Sequence, residues 1–349
     1  MKRIGDEVVA LVEDYATAID ALGDRAAANT VAAARKSLDG LLGKLRRSYN
    51  TFLDETQPDR PSGRRPLEYT IAETTARYRD LTAIAAEFLP EAEIQALQRR
   101  YQKDLAEAIG KGGELQAQLV KLIDPRRATP FAGPDPAVVK AAAERTSAFI
   151  RGEAMAFRDG LTRIALDGVA KGSGYKTILK EVKTLLRGAA DPQGLTRSMG
   201  LEQRAELIAR SEISNAYVEA QRRYAQAGGY RYVRWIAVGD ERTCLTCGSR
   251  SGRVFRVDEI TAPAHPRCRC SLSAVPNEAV EEQDPELRRQ LLDEDFWEQQ
   301  REEGRKVLAE ANGWDLGQME AKIRANLQKP TSSERRLYPD LKGSAQAVD

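Results

Sequence analysis

The sequence predicts a mostly helical protein with one small α+β module. Three observations carry this expectation. Apolar residues recur at three- and four-residue steps through most of the 349 residues, alanine is abundant, and aromatic residues make up only 6%. The helical period gives way after Gly228-Gly229 to a run rich in aromatic and β-branched residues. All four cysteines and the single histidine lie between Cys244 and Cys270, so one local site is expected to hold them.

Taken in order, Val8, Leu11, Val12, Tyr15, Ile19 and Leu22, then Leu38, Leu41, Leu42, Leu45, Tyr49 and Phe52, line one helical face over residues 3–55, with Gly23 expected as a break. Pro58, Pro61, Gly63 and Pro66 mark a loop. Helix resumes from Leu67 to about Leu122, restarted at Pro90 and weakened near its end by Gly110, Gly112 and Gly113. Prolines 125, 130, 134 and 136 make a linker. Three further helices are expected at 137–171, 177–186 and 201–227, separated by the glycines at 172 and 174 and by a turn at 188–194. Strands are expected at 230–238 and 252–257, and acidic helices at about 285–311 and 315–327, before a tail. The expected domains are a helical bundle or arm at 1–124, a Pro-rich linker at 125–136, an α+β module at 137–276, and an acidic helical segment and tail at 277–349.

Charge and composition exclude several classes. Lys+Arg 54 against Asp+Glu 52 leaves a net charge of +2, which rules out a polycationic DNA-coating protein. No apolar run reaches about 18 residues, so no membrane span is expected. No apolar segment follows Met1-Lys2-Arg3, so no secretory signal and a reducing compartment are expected. The charge is nonetheless uneven. Residues 230–270 carry Arg231, Arg234, Arg242, Arg250, Arg253, Arg256, Arg267 and Arg269 and no lysine, whereas 278–303 is strongly acidic. Arg242, Arg250, Arg253, Arg256, Arg267 and Arg269 are candidate contacts to nucleic acid or to an acidic partner. The acidic segment folding back onto them is the slightly favoured reading.

Cys244-Leu245-Thr246-Cys247 sets two thiols on a tight turn, and His265 and Cys268 repeat the same spacing. Two such pairs about 20 residues apart can close a tetrahedron around zinc. The preferred ligands are Cys244, Cys247, His265 and Cys268, with Cys270 as the alternative fourth. A segment of this size with two short strands lacks the apolar area to fold alone, and a structural zinc contributes on the order of 10–16 kcal/mol. Two disulfides, or unbound thiols with His265 bracing a turn, are the competing readings.

The run Ile208-Ala209-Arg210-Ser211-Glu212, the strand ending at Trp235, Asp240 before Thr243-Cys244, and His265-Pro266-Arg267-Cys268-Arg269-Cys270 resemble the Mu F-like family of tailed-phage minor head, or head-morphogenesis, proteins. The resemblance covers about residues 140–275, with Ser211 standing where threonine is more usual. It implies a structural virion protein in the head interior or at the portal vertex, in the host cytoplasm during assembly, acting in capsid assembly and in DNA packaging or ejection. Its implied partners are the portal protein and other head proteins, with weak non-specific DNA contact and no membrane. No catalytic residue or organic cofactor is expected. The competing class is a zinc-containing nuclease or other DNA-processing enzyme, with His265 as base or with Asp240 or Glu241 holding a second metal. One histidine serves only one of these roles, so the catalytic set is incomplete.

Overall fold

The computed structural model describes residues 4–56, 71–170, 175–190, 197–240, 242–260, 263, 265, 268–315 and 317–318. Helices α1 (Ile4–Thr56), α2 (Ile71–Ala86), α3 (Glu91–Ile123), α4 (Pro136–Ala170), α5 (Tyr175–Arg187) and α6 (Leu201–Ala227) make up most of it, with a short hairpin of β1 (Gly188–Ala190) and β2 (Arg197–Met199) between α5 and α6. Strand β3 (Tyr232–Ile236), helix α7 (Leu245–Arg250) and strands β4 (Val254–Arg256) and β5 (Ser271–Val275) follow, then α8 (Asn277–Val280), α9 (Pro285–Leu291) and α10 (Glu294–Asn312). The chain is therefore mostly helical with a small antiparallel sheet, as its sequence predicts.

Contacts divide the chain into two compact units. One takes in residues 4–24, 102–142 and the described residues from 210 onward; the other takes in the described residues of 25–101 and 143–209. The second unit is a helical core. Leu38, Leu41 and Leu45 of α1 meet Ile94 of α3, Phe157 and Leu161 of α4, and Val182 and Leu186 of α5. Phe88 and Phe157 bring their ring centroids to 4.5 Å. Leu89 sits at φ 44, a conformation that needs external support in a residue other than glycine. That support is specific: its N–H donates to Ser37 Oγ at 2.7 Å, and Arg158 donates to the Phe88 and Leu89 carbonyls at 2.8 Å each.

In the first unit β3 is the central strand, flanked antiparallel by β4 and β5. Val233, Trp235, Phe255, Leu272 and Ala274 share one face and are all buried. Tyr232, Val254 and Val275 pack on the other side with Ala279 and Val280 of α8 and with Leu292. Burial on both faces explains why β3 reads as a nearly continuous apolar run.

The edge of β5 is met by helix side chains. Gln221 of α6 accepts from the Leu272 N–H at 2.9 Å, and Tyr217 shares a hydrogen bond with Ser271 at 3.0 Å. Gln116 of α3, its amide oriented to satisfy both partners, donates to the Leu272 carbonyl at 2.8 Å and accepts from the Ala274 N–H at 2.7 Å. Gln116 and Gln221 are fully buried, and together they satisfy backbone groups that water cannot reach.

Several details depart from expectation. α1 runs through Gly23 without a break, and Gly23 instead gives close passage to Arg210 of α6, whose Cγ would lie 3.4 Å from an added Cβ. The helix expected from 285 to 311 is two helices. Asp284 caps α9 by accepting from the Glu286 and Leu287 N–H groups, and Asp293, at φ 50, turns the chain into α10. The loop expected around Pro58–Pro66 and the glycines at 172 and 174 lie outside the described residues, as does most of the helix expected at 315–327.

Candidate metal centre

The centre begins where β3 ends. Gly239, at φ +81, turns the chain, and its N–H donates to Thr243 Oγ1 at 3.1 Å. Asp240 organises the turn: its carboxylate accepts from the Arg242 N–H at 3.1 Å and from Thr243 Oγ1 at 3.2 Å. Arg269 grips the same carboxylate with two hydrogen bonds, at 2.8 and 2.5 Å, a bidentate fork that fixes orientation as well as charge. Asp20 of α1 joins them, 3.0 Å from Arg242 Nη2 and 3.7 Å from Arg269 Nη1. Burial works against the charged form of Asp240, but Arg269 overrides it and holds the carboxyl below its usual range.

This scaffold places Cys244 at the N-cap of α7, where its sulfur accepts from the Cys247 N–H at 3.4 Å. Cys247 follows in the first turn of α7. From the other direction, Cys268 N–H donates to the His265 carbonyl at 3.2 Å, and Cys268 and Cys270 lead into β5. His265 Nε2 lies 3.0 Å from both Cys244 Sγ and Cys247 Sγ, and Cys247 Sγ lies 3.7 Å from Cys268 Sγ. Two groups of donor atoms result, each within 4.8 Å: Cys244, Cys247 and His265, and Cys247, Cys268 and Cys270. Cys247 belongs to both. All five residues predicted from spacing thus fall into these two triads, which share Cys247 but do not unite the preferred set of Cys244, Cys247, His265 and Cys268 in one group, and none of the cysteines is in a disulfide.

The donor set suits a soft divalent ion. In a tetrahedral site with Zn–S of about 2.3 Å, neighbouring thiolates stand about 3.8 Å apart, and the Cys247–Cys268 separation is 3.7 Å. Cys247, Cys268 and Cys270 are each no more than 5% exposed, so bulk water does not compete for their sulfurs. The charge state also fits. The Cys247 thiol donating to Cys244, together with His265 beside it, overcomes burial and holds the Cys244 thiol at about 4. Burial disfavours a charged His265, but hydrogen bonds to Cys244 and Cys268 push it up to about 11. Cys247 and Cys270 donate to Cys268 and hold its thiol well below the ordinary range, while their own thiols are raised. Metal binding would release the protons that the thiols and His265 still carry.

The other candidates are dispersed. Arg242 and Arg269 are tied to Asp20 and Asp240; Arg256 pairs with Asp258 at 2.9 Å and Glu259 at 3.0 Å. Arg250 is buried with its guanidinium 5.3 Å from the Trp235 ring centroid. Arg253 lines a cleft with Arg234 and Arg301. Arg267 and Glu241 lie outside the described residues. Acid from the 278–303 segment meets the basic block at Arg231, paired with Glu281 at 2.6 Å. On α6, Arg210 pairs with Asp24, and Glu212 is buried and accepts from Asn215 at 2.9 Å.

Sequence reasoning missed α7, β5 and Asp20. The C-x-x-C spacing indicates a tight turn but not the helix that Cys244 caps, and nothing in the spacing links residue 20 to residue 242. Neither group proposed for catalysis stands apart from this framework: His265 contacts two sulfurs, and both Asp240 oxygens accept from Arg269. No helix is long and apolar enough to cross a membrane among the described residues.

Residues 159–273 match the family described as phage Mu protein F like protein. The matched span runs from within α4 to the middle of β5 and contains all five Cys and His residues. No curated protein and no solved structure matches the chain.

Proposed function

We propose, for a chain whose residues 159–273 match the phage Mu protein F like family, a structural role as a minor head protein of a tailed phage. In this reading it docks at or near the portal during head assembly and takes part in DNA packaging or ejection. The observation that carries the reading is that the family match and the cysteine–histidine centre coincide in one segment. The centre's work is architectural. Cys244, Cys247, His265 and Cys268, with Cys270 as the alternative fourth ligand, would hold zinc, which supplies cross-linking without redox chemistry. Bound there, these residues tie the loop after β3 to the approach to β5, so the small sheet keeps its register. Asp240 and Arg269 brace the same two segments from outside the ligand set.

The non-enzymatic reading is supported by what the polar groups do. His265 is held between sulfurs and Asp240 is held by an arginine fork, so neither is poised to move a proton on a substrate. The partners are portal and other head proteins. DNA contact rests on few arginines, and is weak, non-specific and salt-dependent.

Co-sedimentation of purified protein with portal assemblies or proheads tests the role, with incubation on single- and double-stranded DNA in Mg²⁺, Mn²⁺ or Zn²⁺ alongside. Binding at moderate salt with no cleavage is expected. Metal-dependent cleavage lost in His265→Ala would overturn the proposal in favour of a nuclease.

A further inference from the structure

A second site lies in the cleft where α9 and α10 meet the sheet. It is about 370 Å³ and is lined by Arg234, Arg253, Arg288 and Arg301, with Trp297 and Glu294. Volumes of this order lie within the range of small-ligand sites. Its floor is built with care. Arg234 is only 7% exposed, yet it comes from a sheet position where an apolar residue would be the simple choice. Its guanidinium lies 4.7 Å from the Trp297 ring centroid, and its Nη2 donates to the Leu292 carbonyl at 2.7 Å. Arg301 reaches over from α10 toward the Ser251 carbonyl, at 3.4 Å. Gly252 makes room for both helix residues: it has φ +75, and a Cβ there would stand 2.8 Å from Trp297 Cβ and 3.0 Å from Arg301 Nη1.

Four guanidinium groups line one partly enclosed cleft, with Glu294, neighbouring Asp293 and Glu298 as nearby carboxylates. Burial and the adjacent charges of Arg253 and Arg305 work against the charge on Arg301, while Glu298 and Glu294 work for it, and the net effect lowers its pKa. Such a lining suits an oxyanion, because arginine forks match tetrahedral oxyanions in shape and charge. The bonds that hold Arg234 go to carbonyl oxygens and an aromatic face, so its positive charge is fixed in place without being cancelled.

We propose that the Arg234–Arg253–Arg288–Arg301 cleft is a binding site for a phosphate group, carried either by a small phosphate ion or by a nucleic-acid backbone. The inference is independent of the metal centre and of the role in the head. Arg253 and Arg288 are its outer contacts, Arg301 its inner wall, and Arg234 the buried charge that polarises the floor. Phosphate is favoured over a carboxylate ligand because it presents more acceptor oxygens and more negative charge to a lining of several arginines.

The test is titration calorimetry of the full chain with inorganic phosphate, pyrophosphate and a short thymidine oligonucleotide, at constant ionic strength. Saturable binding of at least one probe is expected. Arg288→Gln and Arg253→Gln should each weaken it about tenfold or more, the loss of one charge-assisted contact. Arg289→Gln, next to the cleft but paired with Asp295 and Glu298, should leave it unchanged. Binding of the oligonucleotide beyond that of free phosphate would assign the source to nucleic acid, and the reverse to a small ion. The proposal is overturned if the folded wild-type chain binds none of the three. It is equally overturned if binding survives in both Arg288→Gln and Arg253→Gln, or if only an acidic peptide binds. Helical circular dichroism of each variant confirms that a loss of binding is not a loss of fold.

Discussion

Two glycines two residues apart on α3 should respond to the same substitution in opposite directions. Gly112 of α3 lies against the backbone of α6: an added Cβ would stand 2.2 Å from the Tyr217 carbonyl oxygen, 3.0 Å from its carbonyl carbon and 3.1 Å from Ala220 Cβ. A carbonyl cannot rotate away as a side chain can, so Gly112→Ala forces α3 and α6 apart by about 1 Å. A gap of that size forfeits roughly a quarter to a half of each affected contact's attraction. Overpacking of this kind costs about 1–3 kcal/mol, and the upper end applies because the contact is with backbone. Replacing a helical glycine returns about 1 kcal/mol, leaving a net loss of about 2 kcal/mol. Gly110, by contrast, has nothing within 4 Å of an added Cβ, so Gly110→Ala keeps the propensity gain of up to about 1 kcal/mol. Thermal unfolding followed by helical circular dichroism reads both. At about 2–4 °C per kcal/mol, Gly112→Ala should lower Tm by about 4–8 °C and Gly110→Ala should raise it by a few degrees. Equal shifts in the two variants would refute the close α3–α6 approach.

Further outcomes follow from the centre and its surroundings. Cys244→Ser with Cys247→Ser should lose the near-ultraviolet signal of Trp235 while most helical signal remains, because the helical core around Phe88 and Phe157 does not involve the cysteines; loss of all helical signal would contradict this. His265→Ala should lower zinc affinity more than Cys270→Ala in a chelator competition, and the reverse ranking would assign a site of four cysteines. Asp240→Asn should reduce the acid sensitivity of the fold: the Asp240 carboxyl is held below its unfolded value, so its stabilisation is present above about pH 4 and is lost as pH falls through the lower folded value. An unchanged acid unfolding curve would show that the Arg269 fork adds no stability.

The helices were legible because their period is set by burial, and α6 begins and ends where its sequence pattern does, at Leu201 and Ala227. β3 and β4 were legible from their aromatic and β-branched residues. β5 was not, because Ser271 and Ser273 break the apolar pattern; they are buried, and Tyr217 takes up Ser271 by a hydrogen bond from α6. Gly23 was misread for a related reason: glycine in a helix signals either a break or a close neighbour, and only the position of Arg210 distinguishes them. The cysteine–histidine centre was visible in the spacing, since its donors come from two short turns. Asp20 was not, because its part in the site depends on how α1 packs. The arginine cleft was hidden for another reason. A run of arginines suggests a basic surface, but Arg234 is buried against Trp297 and Leu292, contacts that form only when α9 and α10 fold onto the sheet.

The proposed zinc site draws four ligands from five residues on two turns, Cys244, Cys247, His265, Cys268 and Cys270. Elemental analysis of the full chain, purified without chelator, with thiol titration of the native protein, tests it directly. Close to one zinc per chain is expected, with thiols that react only after the metal is removed. Metal-free, fully folded protein with four freely reactive thiols would contradict it.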